Sequence, residues 1–311
     1  MPSAEELRSH LAERYGFRAH TLFRFDEDVV LLRRDDGPSW VARVFGPERE
    51  PAAVEGDAEV LRWLAAQDYP AERCASDDSV SALGECTVLV TEAVPAVPRA
   101  QRRQTIKDAG GIRGLGELLG RLHTLQLDTA PTRPGGGWHH IVDGSPADEL
   151  ATAADWLEQA EAEASFRDVA HFGELADALA FADGCEGLPE TFTHPDFVLA
   201  NVVAAPDPAM VLVDWAGSGR GPRLSALAFL LWAEGGKDLR RVDLALSGYS
   251  KHVTPERAEI ARLEAAITAR PLVLDIWRLR HRGFGAADAA ASAANHRRLA
   301  GEITARVRSF G

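Results

Sequence analysis

Thr193-His194-Pro195-Asp196-Phe197-Val198-Leu199-Ala200-Asn201 is followed, after a short interval, by Val211-Leu212-Val213-Asp214-Trp215. The first stretch places an Asn five residues after an Asp, and a second Asp comes thirteen residues after that Asn. Each of these polar residues lies beside an apolar run of the kind that forms a β-strand, with a turn at Asp207-Pro208 between the runs. The sequence therefore predicts a hairpin that brings three oxygen-bearing side chains together.

Two carboxylates and one amide in this layout are typical of a phosphoryl-transfer centre. The reaction needs little covalent chemistry from a protein, but it needs an oriented acceptor hydroxyl and positive charge beside the phosphates. The pattern predicts Asp196 as the catalytic base and Asn201 with Asp214 as ligands of magnesium, which prefers hard oxygen donors. His194 is expected to be structural. The alternative is that all of them are ordinary turn residues, because Asp and Asn are common in loops.

Two groups of residues resemble a known family. His194-Pro195-Asp196, Asn201 and Val213-Asp214-Trp215 are similar to the catalytic motif and the metal-binding aspartate of the aminoglycoside phosphotransferase and choline kinase superfamily. Residues 115–123, Leu-Gly-Glu-Leu-Leu-Gly-Arg-Leu-His, resemble the helix that precedes the catalytic region in that family. The resemblance extends over residues 15–285.

The resemblance implies an α+β class and a bilobal protein-kinase-like fold. Residues 1–94 would form a small nucleotide-binding lobe with an antiparallel sheet, and residues 95–311 a large, mainly helical lobe with the catalytic loop and the acceptor site. The periodicity of the chain gives a similar division. The predicted strands are 19–25, 29–34, 39–45, 80–83 and 87–91, and the predicted helices are 4–15, 53–67, 110–127, 147–164, 170–182, 222–234, 238–252, 255–268, 271–282 and 286–309.

The resemblance also implies a phosphate-binding pair in the first lobe. Arg43 stands where the family has a lysine that contacts the α- and β-phosphates, and an arginine keeps the positive charge. The acidic partner falls on Asp57, with Glu55 and Glu59 nearby. The longer Arg43 would compensate for the shorter Asp57. The alternative is that Arg43 is a solvent-facing strand residue.

The resemblance places the adenine beside the end of the predicted strand at 87–91. The backbone near Glu92 and Val94 is expected to bind the base, between apolar walls formed by Leu31, Ala42 and Val90. The alternative is an ordinary edge strand that runs into a linker. The acceptor pocket is expected in the helical lobe, where core or solvent positions would also explain each candidate. Those candidates are Trp232, Glu234, Asp238, Asp275 and Trp277. Trp138, beside the glycine run, is a candidate residue of a lid over the acceptor, with a packing anchor as the alternative.

Three features depart from the family pattern. Residues 25–28, Phe-Asp-Glu-Asp, contain no glycine, although a loop that covers phosphates needs close backbone amides, and carboxylates there would repel a triphosphate. Ala226 stands where the family has an aspartate that braces the catalytic loop. Pro195 replaces a glycine and stiffens that loop. The oxygen-bearing residues of the motif are present despite these departures.

Composition narrows the classes of partner. A net charge of −13 argues against nonspecific binding of nucleic acid and is compatible with a cationic small acceptor. The sequence contains no run of eighteen apolar residues, so no membrane span is predicted. The acidic start of the chain does not resemble a secretion signal. Cys74, Cys86 and Cys185 lack metal-ligand spacing and suit a reducing cytoplasm as free thiols.

These observations predict an enzyme, a kinase that transfers a phosphoryl group from ATP or GTP, with magnesium, to a hydroxyl of a small molecule. The acceptor could be an aminoglycoside or another antibiotic, an aminoalcohol or a sugar, and the sequence leaves this choice open. A role in antibiotic resistance follows by analogy only. The alternative is a catalytically weak or inactive kinase-like ligand-binding protein, which the acidic loop and the missing brace would favour.

Overall fold

The computed structural model describes residues 2–24, 28–33, 37–163, 169–206 and 209–310. In chain order the helices are α1 (Ala4–Tyr15), α2 (Pro51–Ala66), α3 (Arg99–Asp108), α4 (Gly111–Leu122), α5 (Pro146–Ala162), α6 (Val169–Phe181), α7 (Arg223–Gly235), α8 (Arg240–Tyr249), α9 (Arg257–His281) and α10 (Ala286–Arg308). The strands are β1 (Thr21–Arg24), β2 (Val29–Arg33), β3 (Trp40–Phe45), β4 (Val80–Leu83), β5 (Cys86–Glu92), β6 (Glu190–Thr193), β7 (Val202–Ala205), β8 (Ala209–Leu212) and β9 (Gly219–Pro222).

Packing groups the chain into two units. The first comprises Met1–Asp108 with Val202–Trp215, and the second comprises Ala109–Asn201 with Ala216–Gly311. The predicted lobe boundary after residue 94 stays a prediction. Two predicted features fall partly or wholly outside the described residues: the acidic loop at 25–28 and the turn at Asp207-Pro208.

The first unit is built on an antiparallel sheet with the strand order β1-β2-β3-β5-β4. Successive residues of a strand face opposite sides of a sheet. On one side, Ala42 and Val44 of β3 share a core with Leu7 and Leu11 of α1. Trp40 lies on that side too. Val41, Arg43 and Phe45, the alternate residues of β3, therefore face away from α1. This alternation positions the charged residues described below.

The hairpin of β7 and β8 belongs to the first unit. Val202 pairs with Leu212 across the hairpin. The edge of β8 that does not face β7 is hydrogen-bonded to the segment after α2. Leu212 of β8 accepts from the N–H of Glu72 at 3.1 Å and donates to the carbonyl of Pro70 at 2.9 Å. These bonds place Glu72 beside the end of β8, where Asp214 follows.

In the described part of the second unit the strands are β6 and β9, which pair antiparallel, and the longer elements are helices. One core lies among α5, α6, α9 and α10 and includes Leu157, Phe172, Leu272, Ile276 and Ala289. Helices α4 and α8 touch backbone to backbone, because a Cβ added to Gly116 would lie 2.0 Å from the carbonyl oxygen of Ala245. The sheet of the first unit and the helices of the second confirm the predicted α+β class.

The segment that precedes α5 runs beside β9. Gly135 donates its N–H to the carbonyl of Arg220 at 2.8 Å, and Arg220 donates to the carbonyl of Arg133 at 2.9 Å. A Cβ on Gly135 would lie 2.1 Å from the nitrogen of Gly219, so only glycine permits this approach. The glycine-rich segment at 135–137 is therefore fixed against the small sheet, and it is not a loose connection.

The helices differ from the predicted ones at two places. The stretch predicted as separate helices at 255–268 and 271–282 is the single helix α9, which continues through Pro271. Proline removes one helical hydrogen bond, but burial of residues on both sides of it holds the helix together. Helix α3 was not predicted, because none of its residues is buried and it carries no apolar stripe. None of the helices in the described ranges combines the length and the apolar character that a bilayer span requires.

Candidate active site

Three charged residues of the first unit form a buried network. Arg43 donates from Nη1 to Oε2 of Glu72 at 2.8 Å, and its Nε lies 3.7 Å from Oδ1 of Asp214. Arg43 is 9% exposed and Glu72 is 3% exposed. The side chain of Asp214 keeps 36% of its surface exposed. Arg43 and Asp214, both predicted from the sequence as functional residues, therefore meet in this unit.

Glu72 organises this network. Its Oε2 also accepts from Oγ1 of Thr91 at 2.9 Å, and its Oε1 accepts from the backbone N–H of Asp214 at 2.8 Å. Asp214 has a φ of 70°, in the left-handed region that a non-glycine residue rarely adopts. The hydrogen bond that Asp214 donates to Glu72 stabilises this backbone conformation at the end of the hairpin, where the Asp214 carboxylate stays accessible.

Arg43 stays protonated although its side chain is buried. Burial by itself would lower the pKa of Arg43, but the nearby carboxylates of Glu72 and then Asp214 raise that pKa above its ordinary value. The guanidinium is therefore a permanent cation. It is also the group that compensates the negative charge of Asp214.

The predicted ion pair between Arg43 and Asp57 is not formed. Asp57, on α2, accepts from both terminal nitrogens of Arg49, at 2.6 and 3.3 Å. Both partners are buried, and the charge of Asp57 acts on Arg43 only as a weaker long-range contribution. Glu72, which comes from the segment after α2, is instead the direct carboxylate partner of Arg43. Whether Asp57 contributes to nucleotide binding stays a prediction.

The structure also separates two of the predicted adenine walls from Arg43. Ala42 and Val90 are fully buried in the core with α1, on the opposite face of the sheet. Strand alternation puts Val41 on the side of Arg43, where it pairs with Leu31 of β2 and Thr91 of β5. That face carries Leu31 and Val41 as apolar groups.

The backbone groups predicted for the base lie where β5 ends. The N–H of Glu92 donates to the carbonyl of Arg73 at 2.8 Å, and Ala93 donates to Ser39. Within the described part of the chain, the backbone of Val94 makes no hydrogen bond. The N–H of Glu92 is therefore engaged in the fold, and Val94 is the better candidate for contact with a nucleobase.

In the second unit, the loop at 194–201 follows the end of β6. His194 is fully buried, and its Nδ1 accepts the N–H of Asp196 at 3.0 Å, as expected for a structural histidine. Asn201 donates from Nδ2 to both the carbonyl and Oδ2 of Asp196, at 2.9 and 2.7 Å. The amide nitrogen of Asn201 is thereby fixed on Asp196, so Oδ1 is the atom of this side chain that would be available to a cation.

Arg270 of α9 hydrogen-bonds the backbone of this loop. It donates from Nη1 to the carbonyl of Pro195 at 3.1 Å and from Nη2 to the carbonyl of Gly136 at 2.5 Å. Its Nε pairs with Oε2 of Glu149 at 2.9 Å, and both charged residues are buried. Burial raises the pKa of Glu149, although Arg270 opposes that shift. One guanidinium thus ties together the residue before Asp196 and the glycine segment.

The position of the missing aspartate brace lies next to this arginine. Ala226 lines a cavity of ≈ 20 Å³ together with His194, Pro195 and Arg270. Such a volume fits about one water molecule. The loop that lacks the family aspartate is therefore held by an arginine from α9.

Sequence reasoning missed Glu72, Glu149 and Arg270. Glu72 follows Tyr69-Pro70-Ala71, a stretch without helical periodicity, so no motif marks it. Arg270 lies just before Pro271, which favoured a helix boundary there. Its placement inside an apolar stretch of α9 was the one available signal, because a buried arginine requires acceptors.

Solved structures share the fold. Amicoumacin kinase hAmiN, in complex with AMP-PNP, Ca²⁺ and Ami, is 15% identical, with 98% of this chain and 94% of that chain covered and a TM-score of 0.64. A choline/ethanolamine kinase family protein from Mesorhizobium loti is 20% identical, with 98% and 99% covered and a TM-score of 0.64. The microcompartment-associated aminopropanol kinase is 19% identical, with 98% of each chain covered and a TM-score of 0.63. No curated protein sequence matches the chain.

These likenesses identify the class of fold as the protein-kinase-like fold, as the sequence predicted. The family is given by a separate match over residues 24–263, most of the chain. The chain belongs to the phosphotransferase enzyme family.

Proposed function

We propose that the protein transfers the γ-phosphoryl group of ATP or GTP to a hydroxyl of a small molecule. The observation that carries this proposal is the loop at 194–201, in which Asn201 fixes the backbone and the carboxylate of Asp196. Membership of the phosphotransferase enzyme family supports the same reaction class.

Asp196 orients the acceptor hydroxyl and receives its proton. Oδ2 is held by Asn201, so Oδ1 is the oxygen that faces the acceptor. The loop needs little rearrangement, because the buried imidazole of His194 and the guanidinium of Arg270 fix its backbone. Fixed placement of a base contributes to the rate by orientation, and proton transfer adds about 10² to 10⁴-fold.

Asn201 and Asp214 fit a magnesium ion by their chemistry. Each offers a hard oxygen, Asn201 through Oδ1 and Asp214 through a partly exposed carboxylate. Two protein oxygens are enough for magnesium, which keeps waters and phosphate oxygens as its other ligands. When bound, the ion would neutralise charge on the phosphates.

Arg43 contacts the α- and β-phosphates, and Glu72 holds it in place. The backbone near Glu92 and Val94 binds the base. Asp57 of α2 supports the nucleotide site indirectly, through its pair with Arg49, which lies just before that helix. The solved structure of amicoumacin kinase with AMP-PNP and Ca²⁺, which has the same fold, supports a nucleotide and a divalent cation as the cofactors.

The acceptor is a hydroxylated small molecule. Proteins of the same fold are named as kinases of amicoumacin, aminopropanol and choline, which supports an antibiotic or an aminoalcohol as the substrate class. An antibiotic-inactivating enzyme of the cytoplasm is one form that this function could take.

The test is acceptor-dependent release of nucleoside diphosphate from ATP or GTP with Mg²⁺, over a panel of hydroxylated antibiotics, aminoalcohols and sugars. Asp196→Asn should lower kcat by about 10² to 10⁴-fold. Asp177→Asn, at an exposed position of α6, is the matched control and should change nothing. A different result would favour an inactive ligand-binding protein: the protein binds nucleotide, but Asp196 is required neither for phosphorylation of any acceptor nor for slow hydrolysis of the nucleotide.

A further inference from the structure

A row of aromatic and imidazole rings lies on the second unit. The ring centroids of Trp138 and Trp277 are 6.2 Å apart, and Trp138 lies 4.7 Å from His140. His281 continues the row from Trp277 at 6.1 Å, and Trp156 follows at 5.0 Å. The tryptophans are only partly buried and both histidines are exposed. The row therefore presents ring surface to solvent.

The row is linked directly to the loop of the proposed base. Trp138 donates its backbone N–H to Oε1 of Glu149 at 2.8 Å. The other oxygen of Glu149 pairs with Arg270, and Arg270 bonds the carbonyl of Pro195. One buried ion pair thus separates the rings from the residue that precedes Asp196.

The spacing along α9 gives the scale of the separation between the rings and the loop of the proposed base. Arg270 and Trp277 are seven residues apart and so lie on the same face of the helix, about 10 Å apart along its axis. Because Arg270 bonds the carbonyl of Pro195, the proposal below takes about 10 Å as the scale on which a ligand would extend from the loop to the rings.

Two of the three acids among the predicted acceptor-pocket residues are buried and engaged, and the third, Asp238, is exposed and pairs with Arg240 at 3.3 Å. Glu234 and Asp275 are both 0% exposed. Glu234 pairs with Arg241, and Asp275 pairs with Arg278 at 3.1 Å. Since buried and paired carboxylates cannot bind a ligand ammonium without losing their partners, these residues do not form a polycation site.

The ring surface already accepts one planar group. The guanidinium of Arg282 lies 5.0 Å from the ring centroid of Trp277, and Arg282 is exposed. A flat ring can occupy the same kind of position by stacking. The positive charge of Arg282 disfavours a polycationic ligand there.

We propose that the row formed by Trp138, His140, Trp277 and His281 binds an aromatic or fused-ring part of the acceptor. The hydroxyl to be phosphorylated lies at the other end of that acceptor. This assignment rests on the proposed function, since it treats Asp196 as the base. It narrows the acceptor from any hydroxylated small molecule to one that carries a planar ring.

Titration calorimetry of the full chain without nucleotide tests the ring site separately from catalysis. The probes are novobiocin and chloramphenicol, which carry rings and hydroxyls, and kanamycin and choline, which carry cations without an aromatic ring. The ring-bearing probes should bind, and Trp277→Ala should weaken their binding about tenfold. Trp277→Phe keeps a ring and should restore most of the affinity. Phe310→Ala removes an exposed aromatic residue elsewhere and should have no effect.

Three results would overturn the ring site: no binding of either ring-bearing probe, equal binding to Trp277→Ala, or tighter binding of kanamycin or choline. The proposed function is judged by Asp196-dependent phosphoryl transfer. Transfer only to acceptors without rings would reject the ring site and keep the function. Ring binding with no Asp196-dependent transfer would reject the function and, with it, the assignment of the rings to an acceptor.

Discussion

The carboxylate of Glu72 accepts from three donors of different origin: a guanidinium, a threonine hydroxyl and the backbone N–H of Asp214. A carboxylate can accept all three because it has no proton of its own. A glutamine would present an NH₂ group to at least one of these donors. Glu72 therefore positions both Arg43, the cation proposed to contact the phosphates, and the backbone of a proposed metal ligand.

Glu72→Gln is expected to weaken the binding of Mg²⁺–nucleotide by about tenfold or more, since loss of a charged partner to a buried cation costs about 1.5 to 3 kcal/mol. Isothermal titration with a non-hydrolysable nucleotide measures this. Asp57→Asn removes a buried partner of Arg49 and should instead lower the free energy of unfolding by about 3 kcal/mol. Equal loss of nucleotide affinity in the two variants would show that Asp57, and not Glu72 alone, serves the phosphate site.

Arg270→Lys tests whether one guanidinium positions the loop at 194–201. A lysine keeps the charge for Glu149, but its single ammonium cannot bond Glu149 and two carbonyls in the same geometry. The expected result is a fall in kcat of about 10 to 100-fold with little change in the KM of the acceptor, because the base is misplaced while binding surfaces persist. Arg306→Lys, at an exposed pair with Asp243, is the control. A rise in KM alone would place Arg270 in acceptor binding.

At the scale of elements, glycines set the distance between helices α4 and α8. Gly116 and Gly120 are the glycines of the motif at 115–123, and both face α8 or the residues just after it. Gly248 of α8 is equally close, since its Cβ would lie 1.9 Å from the carbonyl oxygen of Arg113. The motif recognised in the sequence is thus a packing motif, and its final residue, His123, is buried against Tyr249.

Gly116→Ala should lower the free energy of unfolding by about 2 kcal/mol or more, because the new methyl would overlap the backbone of α8. Gly173→Ala is the matched control. Gly173 lies on α6 with open space around it, so alanine there should raise the free energy of unfolding by about 0.5 to 1 kcal/mol. Urea unfolding of the two variants measures both. Destabilisation by both changes would mean that helix distance at Gly116 is not the cause.

The elements also show which features a sequence discloses. The hairpin and its flanking Asp and Asn residues were predictable, since short strands and their turn residues leave a local pattern. The misplaced adenine walls were predictable in principle, because Ala42 and Arg43 are adjacent in a strand and must face opposite sides. Glu72 was not, since its partners are brought to it by the sheet and the hairpin. Pro271 led to the wrong prediction of a helix boundary, since tertiary burial outweighs the loss of one helical hydrogen bond.

At the scale of the whole molecule, the stability of the chain is linked to pH through a buried histidine. His123 is 5% exposed, and its Nδ1 lies 2.9 Å from the hydroxyl of Tyr249. Burial, aided by the charge of Arg223, lowers the pKa of His123 to about 3. The folded chain therefore keeps this imidazole neutral, whereas the unfolded chain protonates it near its ordinary pKa.

Between the ordinary pKa of histidine and about pH 3, the imidazole of His123 is protonated in the unfolded state and neutral in the folded state. The free energy of unfolding must then fall as the pH decreases through that range, and it is unaffected by His123 above it. From about pH 7 to about pH 5 the loss from this one group is about 2 kcal/mol. His123→Asn cannot titrate, and its amide oxygen takes roughly the place of Nδ1. Urea unfolding of both proteins at the two pH values should therefore show a smaller loss in the variant by about that amount. An equal loss in both proteins would mean that another group dominates acid destabilisation.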